Sequence, residues 1–233
     1  MIAAIVLAAG LSRRMGAFKL LLPWWERTVL EQVLTTLGAA GVSEIVVVTG
    51  HRADEVTRAL MDTSPERPLS PWARRRQDFG VRIVHNPNYH EGEMLSSIQA
   101  GLLALGEEVE AVLLCLGDQP QMEMVTVQAV VEAMKDGLEM PGGTWQIVIP
   151  SYGMRGGHPV GLARAVWPAV LDATGTLRDV LNAHRERIRY VAVDTPTILA
   201  DLDTPEDYEA WRASTIKSSS SPKPAKPWPS RRS

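Results

Sequence analysis

Short apolar runs rich in β-branched residues recur along the chain, and stretches with helical spacing separate them. Ile2–Leu7 and Ala111–Leu116 are continuously apolar, as strands covered on both faces must be. Glu44–Gly50, Val81–Asn86 and Trp145–Tyr152 share that character, and Arg187–Val193 reads as a further strand. Between them, Thr28 and Glu31 form a capping box, predicting a helix to about Ala40 with Gly41 as its stop. Asp54–Met61 and Thr126–Lys135 read as helices. Glu93–Leu105 reads as another, with Met94, Ile98, Leu102 and Leu105 on its buried face. Strands alternating with helices in this way predict an α/β fold. The expected form is a single-domain, Rossmann-like, mixed but mostly parallel sheet with helices on both faces. Right-handed crossovers place the strand-to-helix loops on one edge, where ligands of such sheets bind.

The alternation changes after Pro150. Gly153–Ala163 is glycine-rich and then apolar, which predicts a hairpin. Short helices follow near Val166–Leu171 and Leu177–His184. Thr204 then caps a helix with Pro205 at its first position and acids in its first turn. The domain is expected to span residues 1–213. The proline-rich stretch 63–79, with its basic cluster Arg74–Arg76, reads as a flexible insertion, and 214–233 as a disordered Ser/Pro/Lys tail.

Composition narrows the function classes. The 233 residues carry a net charge of -3, so bulk electrostatics favour neither nucleic acid nor a membrane surface as partner. The single cysteine, Cys115, excludes an internal disulfide framework and a cysteine-rich zinc site. The start of the chain lacks a basic region ahead of its apolar residues, and no apolar run reaches the ~20 residues of a membrane span. These features read as a cytoplasmic protein.

The candidate chemistry begins in the loop after the first strand, within "LAAGLSRRMGAFKLLL". Neither the Walker nor the GxGxxG phosphate pattern is present. The shared physics remains: glycines let backbone amides turn inward as an anion nest, Ser12 adds a hydroxyl, and Arg14 and Lys19 add charge. A plain solvated turn has the same composition. Asp118 stands at the end of the strand Ala111–Leu116, where a carboxylate near a polyphosphate calls for an intervening cation such as Mg²⁺. A turn-capping aspartate is the alternative.

The loop resembles the nucleotide-binding signature of the molybdenum cofactor cytidylyltransferase family, through Leu7, Ala8, Ala9, Gly10, Ser12, Arg14, Met15, Gly16 and Lys19. The resemblance continues through "VHNPNYHEGEMLSSIQAGL", "LCLGDQPQM", "GMRGGHPVGLA" and "DLDTPEDY", covering roughly Ile2 to Trp211. It implies a nucleotide-diphospho-sugar transferase-like fold and transfer of CMP from CTP to molybdopterin, with Mg²⁺ as cofactor. A molybdenum hydroxylase would receive the product. Carried over, Leu7, Ala8, Ala9, Gly10, Ser12, Gly16 and Lys19 hold nucleotide, and Lys19, Arg14 and Asp118 are the catalytic candidates. Asp118 and Asp203 are the metal ligands, with Asp201 as the alternative for the second. Ser96 and Ser97 border the base or cap their own helix. Gly157, His158 and Pro159 face the acceptor, unless His158 merely bonds a loop carbonyl. Ala9 stands where guanylyl-type relatives carry glycine, which implies CTP over GTP. Arg13 falls at a variable position. Trp24 and Trp25 depart from the glycine-containing turn of relatives, and Thr174 and Leu177 depart from the family's acceptor-side pattern. Two other readings stay open: a sugar phosphate or other small phosphate as acceptor, or a non-catalytic accessory protein that delivers cofactor.

Overall fold

The computed structural model describes residues 1–12, 14–61, 80–91, 93–140 and 144–216. The insertion at 63–79 with Arg74–Arg76, as well as Arg13, Gly92 and the tail from 217, lie outside the described residues. The chain runs β1 (Ile2–Ala8), β2 (Pro23–Trp24), β3 (Arg27–Thr28), α1 (Val29–Ala39), β4 (Glu44–Thr49), α2 (Ala53–Met61) and β5 (Gly80–His85). It continues with α3 (Glu93–Leu103), β6 (Ala111–Leu116), α4 (Met124–Glu139), β7 (Ile147–Tyr152), β8 (Arg155–Gly156) and β9 (Val160–Ala163). It closes with α5 (Trp167–Leu171), α6 (Leu177–Ala183), β10 (Ile188–Ala192) and α7 (Pro205–Ile216).

The main sheet has the order β10-β7-β9-β6-β1-β4-β5, with β8 paired to β7. The β1–β4, β1–β6, β4–β5 and β7–β10 ladders are parallel, while β9 runs antiparallel between β6 and β7. This is the mixed, mostly parallel α/β fold expected, including the hairpin after Pro150. Side-chain alternation along the buried strands divides the core. Ala4, Val6, Leu113 and Cys115 pack under α1, α2 and α4, while Ala3, Ile5, Val112 and Leu114 pack under α3, α5 and α6. Cys115 is fully buried, and burial pushes its thiol pKa up, so it is an inert core residue.

The local signals explain the element ends. Thr28 accepts from the Glu31 amide while Glu31 accepts from the Thr28 amide, completing the capping box of α1. Thr204 and Asp207 repeat the arrangement at the start of α7. Some details differ from expectation. The helix α3 stops at Leu103, because the Ala104 and Leu105 amides turn back to Gly101 and Leu102. Met94 is 45% exposed rather than core, since it lies at the ligand edge of the sheet. The helix α7 continues through 214–216, past the domain boundary that composition predicts at 213.

A third, smaller cluster ties the two ends of the chain together at the ligand edge. Met15 from the loop after β1, Trp24 and Val29, and Leu202 and Tyr208 from the last segment bury one another. Trp24 is therefore packing material, edge-on to Tyr208 at 6.0 Å between centroids. The Tyr208 hydroxyl donates to the Pro23 carbonyl.

The centre of the ligand edge depends on one close approach. The Gly117 amide donates to the Leu7 carbonyl at 3.0 Å, continuing the β1–β6 ladder by one residue. A Cβ on Gly117 would sit 2.8 Å from that same backbone oxygen. We predict that Gly117→Ala destabilises the fold by about 1–3 kcal/mol, the usual cost of overpacking, read as a lower urea midpoint.

Candidate active site

The loop from Ala9 to Phe18 leaves the carboxyl end of β1 and is shaped by its own bonds. Ser12 and Gly16 have positive φ, 49° and 64°. The Ser12 carbonyl accepts from Met15 at 3.2 Å, and its hydroxyl accepts from the Lys19 amide at 3.3 Å. The hydroxyl proton stays available to donate. Nothing lies within 4 Å of where a Gly10 side chain would begin, so that backbone faces open space. Burying Met15, only 1% exposed, stabilises the loop by about 1.5–3 kcal/mol. That exceeds the ~0–1 kcal/mol of an exposed pair such as Arg14–Asp203, whose arginine is 71% exposed. The loop is thus anchored by its apolar underside, leaving its cations free to rearrange.

Those cations meet acids from two distant segments. Lys19 Nζ pairs with Asp118 Oδ2 and lies 3.4 Å from Asp203 Oδ1. Arg14 bonds the other Asp203 oxygen at 2.7 Å. Lys19 and Asp118 are largely shielded, at 13% and 19% exposure. The four groups stand at one end of a cleft of about 510 Å³. The cleft is also lined by Leu7, Ala9, Gly10, Ser12, Tyr89, Met94, Ser97 and Asp201.

Beside the cleft, Asn86 organises the entry to α3. Its amide donates to Ser96 and Ser97, each at 3.0 Å, and its carbonyl oxygen accepts from the Asn88 amide. Ser97 reaches the cleft, whereas Ser96 donates to the Asn88 carbonyl at 3.4 Å, outside the lining. Ala9 is 8% exposed, and its methyl packs where only a glycine at 50 leaves room: a Gly50 Cβ would sit 2.9 Å from it.

Other residues assigned from sequence are placed elsewhere. The Ala8 side chain is buried in the core beneath the sheet, so only its backbone can serve a ligand. Gly157, His158 and Pro159 do not line the cleft. Gly157 abuts the Ile198 carbonyl, the His158 amide donates to that carbonyl at 3.3 Å, and the His158 ring bonds the Leu114 carbonyl at 3.3 Å. This "GGHP" turn braces the closing segment. His51 packs edge-on to Phe18 at 6.0 Å. Residues that sequence reasoning passed over include Asn86, Tyr89 and Gln119, the last 2% exposed and bonded to Asp201 at 3.2 Å. A polar side chain next to a motif carboxylate was the available signal for Gln119. Asn86 and Tyr89 carried none beyond their place after a strand.

Two aspartates that converge on an ammonium occupy a point that already favours positive charge. Both offer carboxylate oxygens, the donors that Mg²⁺ takes together with substrate phosphates and waters. Among the described residues no group of three or more His, Cys, Asp or Glu is placed to hold a metal alone. The pair therefore fits an ion whose remaining ligands come from a substrate, and does not fit a caged structural metal.

A mononucleotide-sized cleft at the carboxyl edge of a mixed α/β sheet, with a cationic loop at one end and paired acids beside it, defines the nucleotidyltransferase class. The chain belongs to the MobA-like NTP transferase domain family, whose model matches residues 4–188. It is 26% identical to the molybdenum cofactor cytidylyltransferase of Escherichia coli over 88% of this chain and 92% of that one. It is 33% identical to the bifunctional protein GlmU of Anaeromyxobacter sp. strain Fw109-5 over 78% of this chain, but only 35% of that protein. The crystal structure of Rv0371C from Mycobacterium tuberculosis in complex with manganese shares the fold. Its TM-score is 0.66 at 25% identity, over 91% of this chain and 98% of that one. Among the described residues, no helix is long and apolar enough to cross a membrane.

His158 supplies a test of this geometry. Burial pushes its pKa below the ordinary 6.5, outweighing the Leu114 carbonyl and the charges of Asp201 and Asp118, which pull upward. Between that lowered value and 6.5 the unfolded chain binds more protons than the folded one, so stability rises with pH and is lost on acidification. The His158 ring should titrate below 6.5 in NMR spectra. In denaturation series across pH, His158→Gln should flatten the decline that sets in as pH falls past 6.5.

Proposed function

We propose that the protein transfers the CMP group of CTP to the terminal phosphate of molybdopterin, releasing pyrophosphate and forming molybdopterin cytosine dinucleotide. The observation that carries the reaction class is the convergence of Lys19, Arg14, Asp118 and Asp203 at one end of the cleft. The triphosphate lies along Gly10 to Lys19, with the loop amides, the Ser12 hydroxyl, Arg14 and Lys19 meeting its oxygens. Asp118 and Asp203 hold Mg²⁺, which when bound neutralises phosphate charge. The manganese in the mycobacterial relative supports a divalent ion in this class.

The acceptor phosphate is substantially ionised near neutral pH, its second pKa being roughly 6, so no dedicated base is needed. Its oxygen forms a bond to the α-phosphorus as the bond to the β-phosphate oxygen breaks, and pyrophosphate leaves with the electron pair. Lys19 and Arg14 contribute by holding the triphosphate in line and by stabilising the charge that develops on the leaving group. The cytosine lies toward Ala9 and Ser97, where the Ala9 methyl narrows the space against a purine. The acceptor enters past Asp201, where a second groove of about 440 Å³, including Tyr152, Arg155 and Trp211, adjoins the cleft. The chemistry suits the cytoplasm, and a molybdenum hydroxylase is the proposed receiver of the product.

Molybdopterin as acceptor rests on the sequence motifs and on the E. coli relative. The GlmU match favours a second reading with the same chemistry, in which a sugar phosphate or another small phosphate is the acceptor. Purified protein with Mg²⁺, each nucleoside triphosphate and a panel of phosphate acceptors, read as pyrophosphate release, separates them. CTP with molybdopterin should give the fastest release. A sugar phosphate giving faster release would establish the second reading, and GTP outpacing CTP would overturn the role of Ala9. Asp118→Ala should lower release at least about 100-fold while the far-ultraviolet spectrum is kept, on the scale expected for lost electrostatic stabilisation. Lys19→Ala should weaken CTP binding and slow turnover, read by calorimetry and the same assay.

A further inference from the structure

The two loops that carry the acidic pair are fastened to each other by glutamines that neither face the triphosphate loop nor pair with a charge there. The Gln119 amide donates to Asp201 Oδ1 at 3.2 Å, and the Gln121 amide donates to the Ala200 carbonyl at 2.6 Å. Both donors leave the segment directly after Asp118. Both acceptors lie just ahead of Asp203. One bond grips a side chain and the other the backbone, so together they fix the position and the rotation of the closing segment. Gln119 is 2% exposed, and the carbonyl oxygens of both side chains are buried without a hydrogen-bond partner. Leaving a buried amide oxygen unmatched costs about 1–3 kcal/mol, and it is incurred twice at one contact. A core built only for stability would place apolar side chains at these positions.

We propose that Gln119 and Gln121 are positioning residues that hold Asp203 at the separation from Asp118 at which both carboxylates grip one divalent ion. This rests on the assignment of Asp118 and Asp203 as metal ligands. The two bonds bridge elements about eighty residues apart in the chain, and they meet the closing segment nearer to Asp203 in sequence than the Thr195–Glu123 bond and the His158 amide on the Ile198 carbonyl do. The carboxylates themselves repel, and among the described residues only the flexible Lys19 side chain joins them directly. When a substrate draws Lys19 away, the buried Leu202 still anchors the closing segment, and the glutamines are the polar bonds that set its register against the Asp118 loop. Partners of this kind, one step removed from a metal, commonly account for roughly 10–100-fold in affinity.

The test is Mn²⁺ binding in the presence of CTP, followed by electron paramagnetic resonance, on the wild type, Gln119→Met/Gln121→Met and Asp203→Asn. Methionine keeps the length and apolar body of glutamine and removes the donor. The double variant should bind Mn²⁺ about tenfold more weakly or worse. The Mg²⁺ concentration for half-maximal pyrophosphate release should rise by a similar factor, so that added metal restores turnover. A merely structural role would lower the melting temperature without moving that metal dependence. If Asp203→Asn weakens Mn²⁺ binding and the double glutamine variant binds like wild type, the positioning role is overturned. If Asp203→Asn also binds like wild type, the metal assignment falls, and the positioning role with it. Should the double variant not fold, Gln121→Met alone, at a partly buried position, carries the same comparison.

Discussion

The pairing of β1 with β6 is the constraint that sets the ligand edge. Their parallel register runs from Ile2 opposite Ala111 to Leu7 opposite Leu116 and is extended by the Gly117 amide on the Leu7 carbonyl. The two strands therefore end level, and their continuations emerge side by side: a cationic loop from one and Asp118 from the other. Neighbouring parallel strands lie about 4.7–4.9 Å apart, so a lysine reaching back from the loop meets the carboxylate without strain. A side chain at position 117 would push the strand ends apart, and with them the charges. The rest of the edge is arranged around this fixed pair of exits. The helix α3 packs against β1 and β4, and the closing segment meets the turns that follow β6 and β8.

The charge balance explains why the site suits a polyphosphate. Lys19 and Arg14 offset Asp118 and Asp203, leaving Asp201 as surplus negative charge at the cleft. On the proposed reading an incoming triphosphate would take up the two cations and leave the carboxylates uncompensated. A dication held by the two carboxylates would then restore neutrality at that spot, so that nucleotide and metal would favour each other's binding. The apolar cluster of Met15, Trp24, Leu202 and Tyr208 keeps the loop and the closing segment in place while their polar faces exchange partners. Adhesion is assigned to one side of the loop and chemistry to the other.

Much of this could be read from the sequence, because it is local. The strands declared themselves by continuous apolar runs, α1 by Thr28 and Glu31, and α7 by Thr204 and Pro205. Asp118 was legible as a strand-end carboxylate on the ligand edge, whereas Asp203 entered only through the family resemblance, and its approach to Lys19 was seen only in the fold. What could not be read depends on contacts between segments far apart. The "GGHP" turn looked like a ligand contact, since glycine and histidine suit one. In the fold the Gly157 amide bonds the Pro150 carbonyl, and the His158 amide and ring bond the Ile198 and Leu114 carbonyls. Met94 fitted a helical stripe, yet α3 projects that first turn past the sheet, where no core covers it. The bonds of Gln119 and Gln121 left no mark in the sequence, because their partners arrive only with the last segment.

That late arrival has a consequence for the chain as it is made. Every described strand of the main sheet is complete by Ala192, and β1, β6 and Asp118 are in place well before that. Asp203 emerges from the ribosome after all of them. A nascent chain can thus build its hydrophobic scaffold while only one half of its acidic pair exists. Commitment to ligand comes only with Asp203, once the described strands that must bear it have all been made.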